Sequence, residues 1–72
     1  MTLADLKLKE EATIVAITAD GAIKDRLIAL GFMVGSKVRI LRKSAGGQTF
    51  VAQLGANSIA LRKEEAKTVS VL

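Results

Sequence analysis

Short segments in which apolar and polar residues alternate constrain the fold of this chain more than any other feature. The clearest runs from Thr49 to Leu54, where Phe50, Ala52 and Leu54 would share one face. Four further segments are β-branched or alternate in the same way: Ala12 to Thr18, Lys37 to Lys43, Ile59 to Leu61 and Val69 to Val71. A period of two residues is typical of a strand with one buried face, so the sequence predicts about five strands.

One short helix is predicted after the first strand. Ile23, Leu27 and Leu30 recur at the spacing that forms one apolar stripe on a helix, and Asp20 precedes them as a candidate N-cap. We expect this stripe to face the sheet. The segment Glu64 to Ala66 interrupts the later strand pattern and predicts a short turn.

The helix is expected to end at a sharp reversal. Gly31 stands where a left-handed residue commonly follows the last turn, and Phe32 is placed to fold back onto Leu27, as in a Schellman motif. Gly35 marks a second turn just before the next strand. The segment Arg26 to Gly35 therefore encodes a helix end, a reversal and a strand start.

These elements together predict a mainly β domain. An open sheet of this size would bury its apolar face against nothing, whereas a curled sheet gives the inward residues one shared core. The residues expected inside are Ile14, Val38, Ile40, Phe50, Leu54, Ile59, Leu61, Val69 and Val71. The pattern therefore indicates a small, closed or nearly closed β-barrel with the helix at one end.

Size and composition limit how such a fold can be stabilised. The 72 residues include no cysteine and no histidine, so neither disulfides nor the usual zinc ligands are available, and only Phe32 and Phe50 are aromatic. A single domain, residues 1–72, must depend on an aliphatic core. No apolar run is long enough to span a bilayer, and the first residues lack the layout of a signal peptide. We therefore expect a cytoplasmic protein without direct membrane insertion.

The segment Arg26 to Gly35 resembles the FeoA family, small accessory proteins of bacterial ferrous iron transport. The resemblance continues in Ile59 to Lys63 and in the closing Val69 to Val71 segment, and it covers nearly the whole chain. Its signature residues are Leu27, Leu30, Gly31, Gly35 and Leu61. The family implies an SH3-like barrel, whereas the alternating pattern alone does not separate this from an OB-like one. The chain departs from the family at Glu10, where glycine is common, and in the loop Ser44 to Gln48, which lacks the family's prolines.

The side chains that catalysis needs are nearly absent. Serine and threonine have no histidine to activate them, and the neighbouring carboxylates Glu10–Glu11 and Glu64–Glu65 would point to opposite sides of an extended segment. Ferrous sites usually combine histidine with carboxylate, and here only seven scattered acidic residues are available. No phosphate-binding loop occurs. We expect no catalytic residues, no metal ligands and no cofactor.

The net charge of +4 raises the question of nucleic-acid binding. The basic residues are spread along the chain without a tract of four or more, and tyrosine, tryptophan and histidine are absent. A solvated basic face is the simpler interpretation. We therefore expect no nucleic-acid partner.

A docking surface is predicted on the helix side that faces away from the stripe and on the adjoining reversal. Apolar side chains there would be bordered by basic ones, an arrangement typical of protein–protein interfaces. The predicted partner-binding residues are Lys24, Arg26, Ile28, Met33 and Val34. In the competing interpretation, the N-terminal turn covers this side with Leu3 and Leu6.

The resemblance implies a non-enzymatic interaction module that contacts the ferrous iron transporter FeoB from the cytosolic side. Two alternatives stay open: a stand-alone SH3-like domain of the metal-dependent repressor type, and a basic barrel that binds nucleic acid. An exposed edge strand, Lys37 to Lys43 or Val69 to Leu72, could also pair with its copy and give a weak homo-oligomer.

Overall fold

An antiparallel sheet with five strands forms the body of the protein in the computed structural model, which describes all residues from 1 to 72. The strands are β1 (Glu11–Ile17), β2 (Lys37–Lys43), β3 (Thr49–Leu54), β4 (Asn57–Arg62) and β5 (Val69–Val71). Their order across the sheet is β4-β3-β2-β1-β5. Helix α1 (Gly21–Ala29) joins β1 to β2, helix α2 (Lys63–Ala66) joins β4 to β5, and a 3₁₀ turn at Leu3–Asp5 precedes β1.

The predicted alternation places the core. Every residue expected inside the sheet is buried except Ile59, which is half-buried because β4 has a neighbouring strand on one side only. The core also takes residues from the N-terminal turn, β1, α1, the reversal, β3 and α2: Leu3, Leu6, Ala12, Leu27, Phe32, Ala52 and Ala66. The prediction of a mainly β fold with one aliphatic core is confirmed.

The gap between β4 and β5 is spanned by α2. No strand pairing joins β4 to β5, and α2 contacts β3, β4 and the N-terminal turn. The short turn predicted at Glu64 to Ala66 is a single turn of helix that begins one residue earlier, at Lys63. Its Ala66 points into the core and is fully buried, which closes this side of the barrel with side chains instead of backbone hydrogen bonds.

Helix α1 buries less than the sequence predicts. Leu27 is fully buried and Leu30 half-buried, but Ile23 is 39% exposed, so the prediction that Ile23 faces the sheet is wrong. The helix has nine residues, and those from 21 to 26 are all exposed, so only its last turn packs on the core. Asp20 occupies the N-cap position, but its side chain makes no capping hydrogen bond.

The reversal after α1 has the predicted Schellman geometry. The N–H of Phe32 donates to the carbonyl of Leu27, and the N–H of Gly31 donates to the carbonyl of Ile28, both at 3.0 Å. Gly31 has a φ of +102°, a left-handed conformation that side chains with a Cβ rarely adopt. Phe32 is fully buried beneath the reversal. The cap therefore fixes the direction in which the chain leaves the helix.

Neither predicted edge strand is available for pairing. Strand β2 lies between β1 and β3, so it is an interior strand. Strand β5 ends the sheet, but its outer side is occupied, since the N–H of Val71 donates to the carbonyl of Met1 at 2.9 Å and Ser70 forms a bridge with Thr2. Sequence alternation does not reveal strand order, which depends on how the chain crosses the sheet. Neither helix has the length and hydropathy that a membrane span requires.

Candidate functional site

Four of the five predicted partner-binding residues meet in an open groove beside α1. The groove has a volume of about 310 Å³ and is lined by Ile17, Lys24, Ile28, Phe32, Met33 and Val34. We call it the helix groove. Ile28, Met33 and Val34 are 51%, 59% and 66% exposed, which is high for large apolar side chains.

Local structure explains why these side chains converge. Lys24 and Ile28 are four residues apart on α1 and therefore lie on one face of the helix. The Schellman cap directs Phe32 inward and leaves Met33 and Val34 outside. A second turn follows, in which the N–H of Ser36 donates to the carbonyl of Met33 at 3.1 Å, and the N–H of Gly35 joins this turn to β1 by donating to the carbonyl of Ile14 at 2.7 Å. Gly35 has a φ of +95°, which explains the glycine at this position.

The N-terminal turn does not cover the helix groove. Leu3 and Leu6 are fully buried, but the turn that carries them packs against β5 and α2. The competing interpretation of the sequence is therefore not what the structure shows. Ile28, Met33 and Val34 in the groove face solvent.

Arg26 lies outside the groove lining and has a different partner. Its Nη1 donates a hydrogen bond to Oε2 of Glu65 in α2. Glu65 is 5% exposed, and its other oxygen accepts the backbone N–H of Arg62 at 2.9 Å. Arg26 thus connects α1 to α2, a contact that the sequence pattern does not indicate. Its predicted role in partner binding stays a prediction.

The five signature residues of the family pattern lie in the core, at the end of α1 and at the two turns that follow it. Leu27 and Leu61 are buried in the core, and Leu30 is half-buried at the helix end. Gly31 and Gly35 hold the two left-handed positions that flank the reversal. None of the five lines the helix groove itself.

Two further cavities lie beside the β3–β4 turn. The first, about 310 Å³, is lined by Glu11, Lys37, Val38, Arg39, Gln53 and Gly55. The second, about 370 Å³, is lined by Leu30, Gly31, Ser36, Lys37, Leu54, Gly55 and Asn57. They share Lys37 and Gly55 and are therefore adjacent. The sequence pattern does not predict this region; its only signal is that Lys37 and Arg39 alternate with core residues and so share the outer face of β2.

Acidic side chains are dispersed over the molecule. No group of three or more aspartate or glutamate residues gathers where a metal ion could bind. That this chain has no metal ligands stays a prediction.

Fold and site together define a class of protein: a small SH3-like β domain with an apolar groove beside the longer of its two helices, α1. A family model described as the FeoA domain matches residues 1–72. The Fe(2+) transport protein A of Campylobacter jejuni is 34% identical over 71 residues, which cover 99% of this chain and 96% of the relative. The chain belongs to the FeoA family, a family of accessory proteins associated with ferrous iron transport.

Solved structures agree with this assignment. The Stenotrophomonas maltophilia FeoA, solved with zinc and described as a procaryotic SH3 domain protein, is 40% identical with a TM-score of 0.88, over 99% of this chain and 88% of that one. Iron(II) transport protein A from Clostridium thermocellum has a TM-score of 0.94 at 30% identity. This chain is 99% covered but spans only 44% of the Clostridium chain. The expectation of an SH3-like barrel, as against an OB-like one, is confirmed.

The fold also occurs in transcriptional repressors. A manganese-dependent transcriptional repressor has a TM-score of 0.91 at 16% identity, over the whole of this chain and 40% of the repressor. At this level of identity the likeness shows the fold alone. It gives no support to a repressor function.

Proposed function

We propose that this chain is a cytoplasmic accessory protein of ferrous iron transport that docks through the helix groove onto the cytosolic side of a FeoB-type transporter. The observation that carries the proposal is the cluster of exposed apolar side chains at Ile28, Met33 and Val34 in a member of the FeoA family. The Stenotrophomonas relative is itself described as a candidate activating factor of bacterial ferrous iron transport. In this proposal the chain acts by contact and carries out no reaction.

The groove has the chemistry of a protein–protein interface. Burying an aliphatic side chain completely contributes about 1.5–3 kcal/mol, so half-exposed side chains contribute roughly half of that each when a partner covers them. Met33 can adapt its shape to different partner surfaces because its side chain is unbranched and flexible. Lys24 adds one positive charge to the lining. The fitting partner surface is therefore a protruding apolar side chain with an acidic residue beside it.

The test measures binding of the chain to the cytosolic domain of a FeoB-type transporter. We expect amide shifts on complex formation to gather at Lys24, Ile28, Met33 and Val34. Met33→Asp should weaken binding by about tenfold or more, because it places a charge where the partner buries an apolar group.

Leu8→Asp is the matched control. Leu8 is 56% exposed, like Met33, but lies outside the groove lining, so this variant should bind as the unmodified chain does. Shifts confined to the loop Ser44 to Gln48, or equal loss of binding in both variants, would contradict the proposed docking surface.

A further inference from the structure

Strand β4 has a free edge. It pairs with β3 alone, through six consecutive residue pairs from Thr49–Arg62 to Leu54–Asn57, and this ladder contains no bulge. No other strand neighbours β4, and no backbone hydrogen bond outside the sheet ladders involves its residues. The N–H of Arg62, at the end of β4, donates to Glu65, but the outward N–H and C=O groups of the earlier β4 residues have no partner, and such a row is the usual template for an added strand.

Helix α2 contacts β4 at its Arg62 end, but the sequence features that normally block such an edge are missing. The chain has no proline, and β4 carries one charge, Arg62, at its last residue. Ser58 and Ala60 are small and exposed, so they leave the edge accessible. The opposite end of the sheet differs, because Met1 and Thr2 cover the outer side of β5. The edge of β5 is therefore covered by the N-terminal residues, whereas the edge of β4 is accessible.

A cavity adjoins the start of this free edge. Asn57, the first residue of β4, lines the 370 Å³ cavity together with Leu30 and Leu54. Lys37 lies in the wall between this cavity and its neighbour, in which Arg39 is paired with Glu11 at 3.4 Å, so Lys37 supplies the positive charge. A strand added to β4 would therefore pass a cavity that has apolar side chains and positive charge. Backbone pairing combined with a cavity for a side chain is how extended peptides are recognised at sheet edges.

We propose that the edge of β4 binds an extended, acidic segment of a partner protein as a sixth strand. The backbone of β4 supplies the hydrogen bonds, and the cavity at Asn57 receives an apolar side chain of the segment. Lys37 and Arg62, near the two ends of the edge, attract its carboxylates. This surface is separate from the helix groove and does not depend on the function proposed above.

Charge decides between an acidic segment and a second copy of this chain. A second copy placed on the edge would bring its own Arg62 and no carboxylate from β4. The whole chain carries a net charge of +4, so two copies repel each other. An acidic segment instead neutralises Lys37 and Arg62.

The experiment uses the full chain and three synthetic probes. The first is a capped octapeptide of alternating valine and glutamate. The second has lysine in place of glutamate. The third is the first peptide with a proline substituted at its centre. We expect the glutamate peptide to shift the amides of Asn57 to Leu61 saturably and to slow their hydrogen exchange. The lysine peptide should bind about tenfold more weakly, and the proline peptide should not add as a strand.

A charge variant tests the location. Ala60→Glu puts a carboxylate at the exposed centre of the edge and should weaken the glutamate peptide by about tenfold while strengthening the lysine peptide. Ala29→Glu changes the net charge equally at an exposed position of α1, and we expect it to leave both affinities within about twofold. Met33→Asp should bind the glutamate peptide normally, which separates this test from that of the helix groove.

Three results would overturn the proposal. The first is the absence of β4 shifts at up to about 5 mM glutamate peptide. The second is a peptide footprint at the helix groove. The third is a set of β4 shifts that depend on protein concentration without any peptide, which would identify a second copy as the occupant.

Discussion

The guanidinium of Arg26 in α1 donates a hydrogen bond to the carboxylate of Glu65 in α2. Glu65 is the one charged residue among the buried ones, and it also accepts the backbone N–H of Arg62. A single carboxylate therefore links the helix that forms the groove to the turn that spans β4 and β5. The side chain of Arg26 is half-exposed, so solvent weakens the ion pair and the backbone hydrogen bond carries much of the stabilisation.

Removal of this carboxylate should destabilise the protein. Glu65→Ala leaves the N–H of Arg62 without its acceptor and Arg26 without its anion, and we expect a loss of about 1–3 kcal/mol in the free energy of unfolding. Chemical denaturation measures it. Glu64→Ala, at the exposed neighbouring position, should change stability by less than about 0.5 kcal/mol. Equal losses in both variants would exclude a specific role for Glu65.

Any side chain introduced at Gly31 should destabilise the helix cap. An added Cβ there meets no atom within 4 Å, so the cost of Gly31→Ala is conformational and comes to about 1 kcal/mol. Gly31→Val should cost more, because its side chain is β-branched. Gly46→Ala is the control, since Gly46 has no left-handed φ, and should be neutral or slightly stabilising. Thermal unfolding compares them, and an unchanged melting temperature for Gly31→Val would refute the cap assignment.

Lys9 is the one non-glycine residue with a left-handed backbone, at φ +67°. Glycine adopts this conformation without the steric cost of a Cβ, so Lys9→Gly should raise the free energy of unfolding by about 0.5–1 kcal/mol. For a domain of this size, that corresponds to a rise of about 2–8 °C in the melting temperature. Lys7→Gly, nearby but without a positive φ, should lower it. A fall in the melting temperature of both variants would show that the backbone conformation of Lys9 carries no strain.

Asp5 should make stability depend on pH in the acidic range. The backbone N–H of Thr2 donates to Asp5 at 2.8 Å and holds the pKa of Asp5 below its ordinary value of 3.8. A carboxylate with a lowered pKa in the folded state stabilises it above pH 3.8, and this contribution is lost as the pH falls through the lower, folded-state value.

The matching variant is Asp5→Asn, which keeps an acceptor for Thr2 but removes the charge. Its melting temperature should lie below that of the unmodified chain near neutral pH, and the difference should disappear in strong acid. Asp25→Asn, at an exposed carboxylate without a hydrogen bond, should show no such trend. A difference that stays constant with pH would contradict the role given to Asp5.

The proposed docking surface could be predicted only in part from the sequence. Helical spacing predicts that Ile28 lies away from Leu27, and a reversal after Gly31 predicts that Met33 and Val34 lie near it. The position of Arg26 could not be predicted, because Glu65 follows it by thirty-nine residues and only the path of the chain brings them together. The free edge of β4 was missed for the same reason.

What the sequence determined by itself is local. Alternation defined the strands, and the left-handed preference of Gly31 defined the helix end, because both depend on residues within a few positions of each other. The tertiary structure alone decided which strands became edges, that Ile23 stayed exposed and that Leu3 and Leu6 packed away from the helix groove. Those outcomes depend on which distant surfaces meet, and packing between distant segments is not encoded in any short stretch of the chain.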